Sequence, residues 1–334
     1  MKRVALPSWL WLILKLIVAG GLITLLWQQG ILDPQLLQNS ALPGSVVLAG
    51  LLCNLAMISL GALRWQILLA SQGLRPPFAW SHGMVYLTFC FNLLVPGSIG
   101  GDALRMAYLL RECPAEQKSG AILTILADRI CGLYAMFLLA LLAALANLTP
   151  LWQQFSGRLL LFSLLFSVAA APLAAALLFW GLDKLPRWPR SPVALPSAAG
   201  RQTSLLDQLL LAVRSFRQQK KSLLAAVLVS VLAQSLEIVA LLFIASALGL
   251  LANGGDHFFL AAPVAWIANL LPVSPGGLGV GEAAFAHICQ WLQPETAVTA
   301  LGTPFLINRL LQMIASLPGI WVYLRHRATP TTPS

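Results

Sequence analysis

Apolar runs of about 20 residues recur along this 334-residue chain, and a run of that length, wound as a helix, matches the roughly 30 Å hydrocarbon core of a bilayer. A soluble domain of this size needs none of them. They fall at residues 9–27, 45–70, 117–147, 158–180, 222–250 and 296–324. With 58% of residues hydrophobic and 10% charged, they predict an all-α polytopic membrane protein, a single integral membrane domain over residues 1–334. The basic start and apolar centre of the first run imitate a signal peptide, but it continues to Trp27 without a small-x-small cleavage site, so it is read as the first membrane helix. Lys15 within it has a stem long enough to reach a head-group layer or a protein-lined cavity.

Two further runs, 78–95 and 258–272, end in proline and glycine. The second gives a helix of roughly 22 Å, and the stretch after it, 282–292, roughly 16 Å, so neither spans the core comfortably. Loop charge suggests what they do instead. Residues 181–221 carry eight basic side chains (Lys184, Arg187, Arg190, Arg201, Arg214, Arg217, Lys220 and Lys221) against Asp183 and Asp207. Such a loop belongs in the cytoplasm, as do the MKR start and Arg325–Arg327. Eight simple crossings with a cytoplasmic N-terminus would put it outside. If 78–111 and 258–292 each enter and leave on one side, six crossings remain and every basic segment lies inside. The predicted fold is therefore six transmembrane helices plus two re-entrant helical hairpins.

An internal repeat points the same way. NLLVPGSIGGDALR begins at Asn92 and NLLPVSPGGLGVGEAAF at Asn269, and LADRICGL at 126–133 parallels LINRLLQM at 306–313. Asp102 and Arg129 lie as far apart in sequence as Glu282 and Arg309. The units, 45–147 and 222–324, would start on opposite sides of the membrane, hence inverted repeats of the kind that place a transporter's site near the midplane. Unwound backbone at that depth needs protein or water partners. Gly100 and Gly101, and Gly276, Gly277 and Gly279, allow two half-helices to meet in a cavity where the second presents free N–H groups and a positive dipole end, an anchor for phosphate. Asn92 and Asn269 open the two motifs.

Bland alternatives exist for each feature. The 97–101 and 277–281 spacings fit GxxxG, which often marks tight helix packing alone. Gly279, Gly281 and Ala284 imitate a dinucleotide fingerprint, but no soluble βαβ unit surrounds them. Asp102 and Glu282 also suit the dipole as ordinary first-turn acids. Arg64, Asp128, Arg129, Glu237 and Arg309 lie inside apolar segments, where each unpaired charge costs about 2.5–3.5 kcal/mol on insertion scales. Asp128 and Arg129 point about 100° apart on a helix, so each should pair with another element. Two readings stay open for Arg129 and Arg309. Either they bind a lipid phosphate with Asp102 and Glu282 positioning them, or they form bridges that hold the repeats together. Arg64 and Arg105 are expected to snorkel to the cytoplasmic interface. Glu237 has no visible partner and is a candidate for proton coupling.

Cys53, Cys90, Cys113, Cys131 and Cys289 are scattered and odd in number, as packing residues are. His82, His257, His287 and His326 form no metal pattern, and His287 reads as an interior imidazole. Trp9, Trp11, Trp27, Trp80, Trp152 and Trp180 lie near predicted span ends, as interfacial anchors do. The net charge of +10 signals orientation and attraction to anionic lipid, with no nucleic-acid partner implied.

FNLLVPGSIGGDALR from Phe91, ADR at 127–129 and PVSPGGLGVGE from Pro272 resemble the lysylphosphatidylglycerol synthase membrane-domain family, from about residue 10 to 324. The resemblance implies a flippase-like protein. The chain ends about ten residues after its last predicted helix, so the soluble aminoacyltransferase fused to the best-known members is expected to be absent. Lipid aminoacylation is then out of reach, and translocation remains. The expectation is a bacterial inner-membrane lipid translocator with cytoplasmic termini, an anionic phospholipid or polyprenyl-phosphate lipid as substrate, and no cofactor. A membrane transferase acting on a lipid phosphate and a non-catalytic envelope scaffold are the rivals.

Overall fold

The structure, a computed structural model, describes residues 17, 20, 21, 23–28, 31, 32, 42–94, 100–114, 117–184, 219–251, 254–271, 274, 277–293 and 300–328. Gly276, the residues between Leu94 and Gly100, and most of the basic 181–221 segment lie outside them.

The described chain is α-helical. Its elements are α1 (Gly44–Ser71), α2 (Phe78–Leu94), α3 (Gly100–Glu112), α4 (Lys118–Ala146), α5 (Leu148–Gln153), α6 (Phe155–Asp183), α7 (Lys220–Ala247), α8 (Phe258–Ala268), α9 (Val280–Leu292), α10 (Thr303–Ser316) and α11 (Pro318–Ala328). Residues 17, 20, 21 and 23–28 are also helical. Among the described residues five helical stretches, Gly44–Ser71, Lys118–Ala146, Phe155–Leu177, Lys220–Ala247 and Thr303–Leu324, are long and apolar enough to cross a membrane. The last run is not one smooth helix: α10 stops at Ser316 and α11 restarts at Pro318, because proline has no N–H for the ladder and clashes with the preceding turn.

Helices α1 and α7 form the central pair, packed more extensively on each other than any other two elements. Both are 28 residues long. They also end alike. Gly73 and Gly249 take positive φ, 77° and 71°, while Leu74 N–H reaches Leu69 C=O and Leu250 N–H reaches Ala245 C=O, the Schellman turn that glycine makes inexpensive.

Around this pair the apolar side chains gather in two main clusters. One joins Trp65, Leu69, Met84, Leu87 and Ile125 from α1, α2 and α4. The other joins Ile238, Phe258, Phe285 and Phe305 from α7, α8, α9 and α10. In each, a short helix pair, α2–α3 or α8–α9, packs against longer helices. Helix α6 touches only α4 and α5 extensively and exposes Phe162, Phe166, Leu173 and Leu177. Beside membrane-length helices, such a face meets lipid tails.

The remaining predicted markers divide. Trp27, Trp152 and Trp180 are exposed, whereas Trp80 stacks on Trp65 and donates to Glu112. Trp9 and Trp11 lie outside the described residues. His287 is exposed rather than interior, because it falls on the α9 face opposite buried Phe285 and Cys289. His257 is buried against Phe258. Burial lowers its pKa below the usual histidine value, with Asp256 opposing.

Candidate functional site

The two glycine-rich motifs bring their second helices back against their first by removing side chains at one point of contact. A Cβ on Gly101 would overlap the Thr88 carbonyl and lie 2.8 Å from Asn92 Oδ1. At Gly281 it would overlap the side chain of Asn269. The asparagines thus sit over glycines in both halves. Asn92 Oδ1 accepts from Gly101 N–H at 3.0 Å, satisfying a donor of the first turn of α3. Asn269 Oδ1 is buried and has no hydrogen-bond donor among the described residues. In the second half that service falls to Glu282, whose Oε2 accepts from Gly279 N–H at 2.7 Å. At each helix start, then, one donor expected to await an anion is already occupied by the protein.

From these helix starts two acids meet two arginines. Arg129 of α4 donates to Asp102 of α3 from Nε, with Nη2 also 2.5 Å from Asp102 Oδ2. Arg309 of α10 holds its Nε 3.1 Å from Glu282 Oε1 on α9. Both pairs join residues 27 positions apart, 102 to 129 and 282 to 309, so each ties a short helix to the longer helix that follows. Their surroundings differ. The Arg129 side chain is 46% exposed and Asp102 14%, against 8% and 1% for Arg309 and Glu282. Asp102 Oδ1 is buried without a hydrogen-bond partner among the described residues.

Asp128 does turn away from its neighbour, as the helical angle requires. It accepts from Arg64 Nε at 2.6 Å and from Arg105 Nη1 at 3.1 Å, and Arg64 continues to Ser230 on α7 at 3.0 Å. This corrects the expectation that Arg64 and Arg105 snorkel. Arg105 is 2% exposed because it follows Gly101 by four residues on the buried face of α3, and its guanidinium lies 3.6 Å from the Trp65 ring centroid. An aromatic face and a shared carboxylate offset the loss of water around the cation.

Glu237, without a visible partner in the sequence, has one in the fold. Gln312 of α10 donates to its Oε1. The two, together with Trp266, Asn269, Phe305, Asn308 and Arg309, line a cavity of about 70 Å³, room for about two waters. Glu237, Asn269 and Gln312 are partly exposed, so the cavity is not sealed. Asn308 holds its wall in place by accepting from Asn54 of α1 at 3.0 Å.

Of the predicted site residues, Asp102 meets Arg129, Glu282 meets Arg309, and Asn269 joins Arg309 at one cavity. Gly100, Gly101, Gly277 and Gly279 sit at the helix starts. Asp128 belongs to the Arg64–Arg105 cluster. Gly276 lies outside the described residues. Gln312 and Trp266 were not foreseen; Gln312 follows Arg309 by three positions and therefore shares its helix face, a signal the repeat alone did not carry.

Residues 12–316 match the family model for the lysylphosphatidylglycerol synthase TM region. No curated protein matches the chain.

Proposed function

Since the chain belongs to the lysylphosphatidylglycerol synthase TM-region family, we propose that it is a flippase-like translocator of a phospholipid or polyprenyl-phosphate lipid across the bacterial inner membrane. In this reading six helices cross, with both termini cytoplasmic, and α2–α3 and α8–α9 are re-entrant hairpins of two inverted repeats. Helix lengths favour it. Helices α3 and α9, of 13 residues each, reach about 20 Å and α8, of 11, about 17 Å, all short of a roughly 30 Å core.

The matched ion pairs carry the proposal. Arg129 and Arg309 stand at corresponding positions, each held by an acid from the start of a short helix, one pair open and the other enclosed. A lipid phosphate would compete with the acid for the guanidinium, which is suited to bidentate capture of phosphate. Exchange of exposure between the two pairs is what alternating access between repeats requires. The acyl chains would remain in the bilayer. Asp102 and Glu282 position the arginines, and Asn92 and Asn269 keep the glycine contacts in register.

Reconstitution into liposomes with head-group-labelled phosphatidylglycerol tests this. Protein-dependent movement of label between leaflets, lost in a folded Arg309→Ala variant, is the expected result. Absence of movement for phosphatidylglycerol and for a polyprenyl phosphate would defeat it.

A further inference from the structure

The two halves differ in which matched positions carry charge. Because α1 and α7 have equal length and the same terminal turn, Gly44 corresponds to Lys220 and each α1 residue to the one 176 positions later, 220 less 44. Arg64 then corresponds to Ala240 and Gly61 to Glu237. The alignment of Asp102 with Glu282 sets Arg105 against Phe285 and Asp128 against Asn308. Apart from the exposed charges at helix ends, three charged positions of the first half are neutral in the second, and one neutral position has become a glutamate. The first half gathers three guanidinium groups (Arg64, Arg105, Arg129) with two carboxylates. The second sets two carboxylates, Glu237 and Glu282, against Arg309 alone.

Glu237 is thus the unbalanced charge, and it lies in the cavity rather than in packed core. Arg309 acts on it electrostatically but is already engaged by Glu282. Of the other charges on α7 and the helices packed around it, Arg64 pairs with Asp128 and Arg129 with Asp102, while Lys118, Lys220 and Lys221 are exposed at the helix starts. Helix α8 carries none. A metal cation is poorly served there. Glu282 is held by Gly279 and Arg309, Asn308 Oδ1 accepts from Asn54, and Gln312 presents a donor, whereas hard cations want several free oxygens. Among the described residues no cluster of three His, Cys, Asp or Glu could hold a metal. One carboxylate that accepts only neutral donors, Gln312 and Trp266, and has no counter-ion of its own in a wet, partly open cavity suits a proton.

We propose that Glu237 carries a proton cotransported with the lipid: its carboxylate takes up one proton while the cavity opens to the more acidic side and releases it on the other. The step forms and breaks one O–H bond at the Glu237 carboxyl and needs no other reactant. This rests on the translocation reading above. One proton with one singly charged head group is electroneutral, so a pH gradient drives accumulation and membrane potential does not.

The test uses the full chain in phosphatidylcholine–phosphatidylglycerol vesicles containing fluorescent phosphatidylglycerol and a lumenal pH dye. A gradient of one pH unit should enrich the label in one leaflet about tenfold at equilibrium, with matching lumenal pH change and no effect of a potassium–valinomycin clamp. Glu237→Gln should still exchange label but lose both the enrichment and the proton movement. In detergent, infrared difference spectra should show a carboxyl band that titrates in the native protein and is missing from Glu237→Gln. Label movement without a gradient effect, or enrichment that follows sodium, overturns the coupling and leaves translocation standing. No label movement overturns both. If Glu237→Gln does not fold, the native protein's lumenal pH signal decides: label moving without protons overturns the proposal.

Discussion

Asn54 on α1 donates to Asn308 on α10 at 3.0 Å, and Asn308 occupies the place, one residue before the cavity arginine, that Asp128 occupies before Arg129. The same corner of the fold is an amide pair in one half and an ion cluster in the other. The consequences for stability are therefore different in kind.

Asp128→Ala leaves Arg64 and Arg105 facing each other without their shared carboxylate. Breaking a buried pair by removing one partner costs about 3–5 kcal/mol. The expected outcome is a large fall in thermal unfolding temperature in detergent, while Asn308→Ala costs only about 0.5–1.5 kcal/mol, because the Asn54 amide still donates to the Gly50 carbonyl. Equal losses would contradict the assignment.

Arg309→Ala should destabilise the protein by about 3–5 kcal/mol, because Glu282 is left buried beside an empty space. For Arg129→Ala, whose side chain is nearly half exposed, about 1 kcal/mol or less is expected. Denaturation of the two variants in the same detergent checks the order.

Gly281→Ala and Gly101→Ala should each cost about 1–3 kcal/mol through overpacking, but only one can be rescued. The three atoms nearest a new methyl at 281 all belong to the Asn269 side chain, so Asn269→Ala should restore much of the loss. At 101 it meets the Thr88 backbone carbonyl, and Asn92→Ala should not help.

His257 gives the stability a pH dependence. Burial favours the neutral ring and lowers its pKa in the fold, so the unfolded chain binds a proton first as pH falls. Stability attributable to this group is complete above the unfolded value, about 6.5, and declines below it. Thermal unfolding followed between neutral and mildly acidic pH should show that slope, and His257→Gln should flatten it.

The long helices were legible because 28 consecutive residues with few charges leave little choice of structure, and α1 and α7 end within about three residues of the predicted run ends. Helix starts at Gly100 and Val280 were legible from glycine followed by an acid. The Arg64–Asp128–Arg105 cluster was not, since its members come from three elements and pairing across elements leaves no spacing in the sequence. One clue was present. Gly101, Arg105 and Leu109 follow each other at four-residue steps, and all three are buried on one face of α3; reading that stripe as interior would have removed Arg105 from the snorkelling class. Pro318 likewise announced the break between α10 and α11 inside an otherwise apolar run.

The unequal enclosure of the two arginine–acid pairs has a further effect. Dissolved ions approach a charge only through water, and at physiological ionic strength they attenuate fields beyond about 8 Å. Water in the opening beside Arg129, as the translocation reading requires, would bring that atmosphere to the Arg129–Asp102 pair, while the more enclosed Arg309–Glu282 pair meets less of it. Added salt should therefore loosen one end of the protein more than the other, which makes electrolyte concentration a selective handle on a single half.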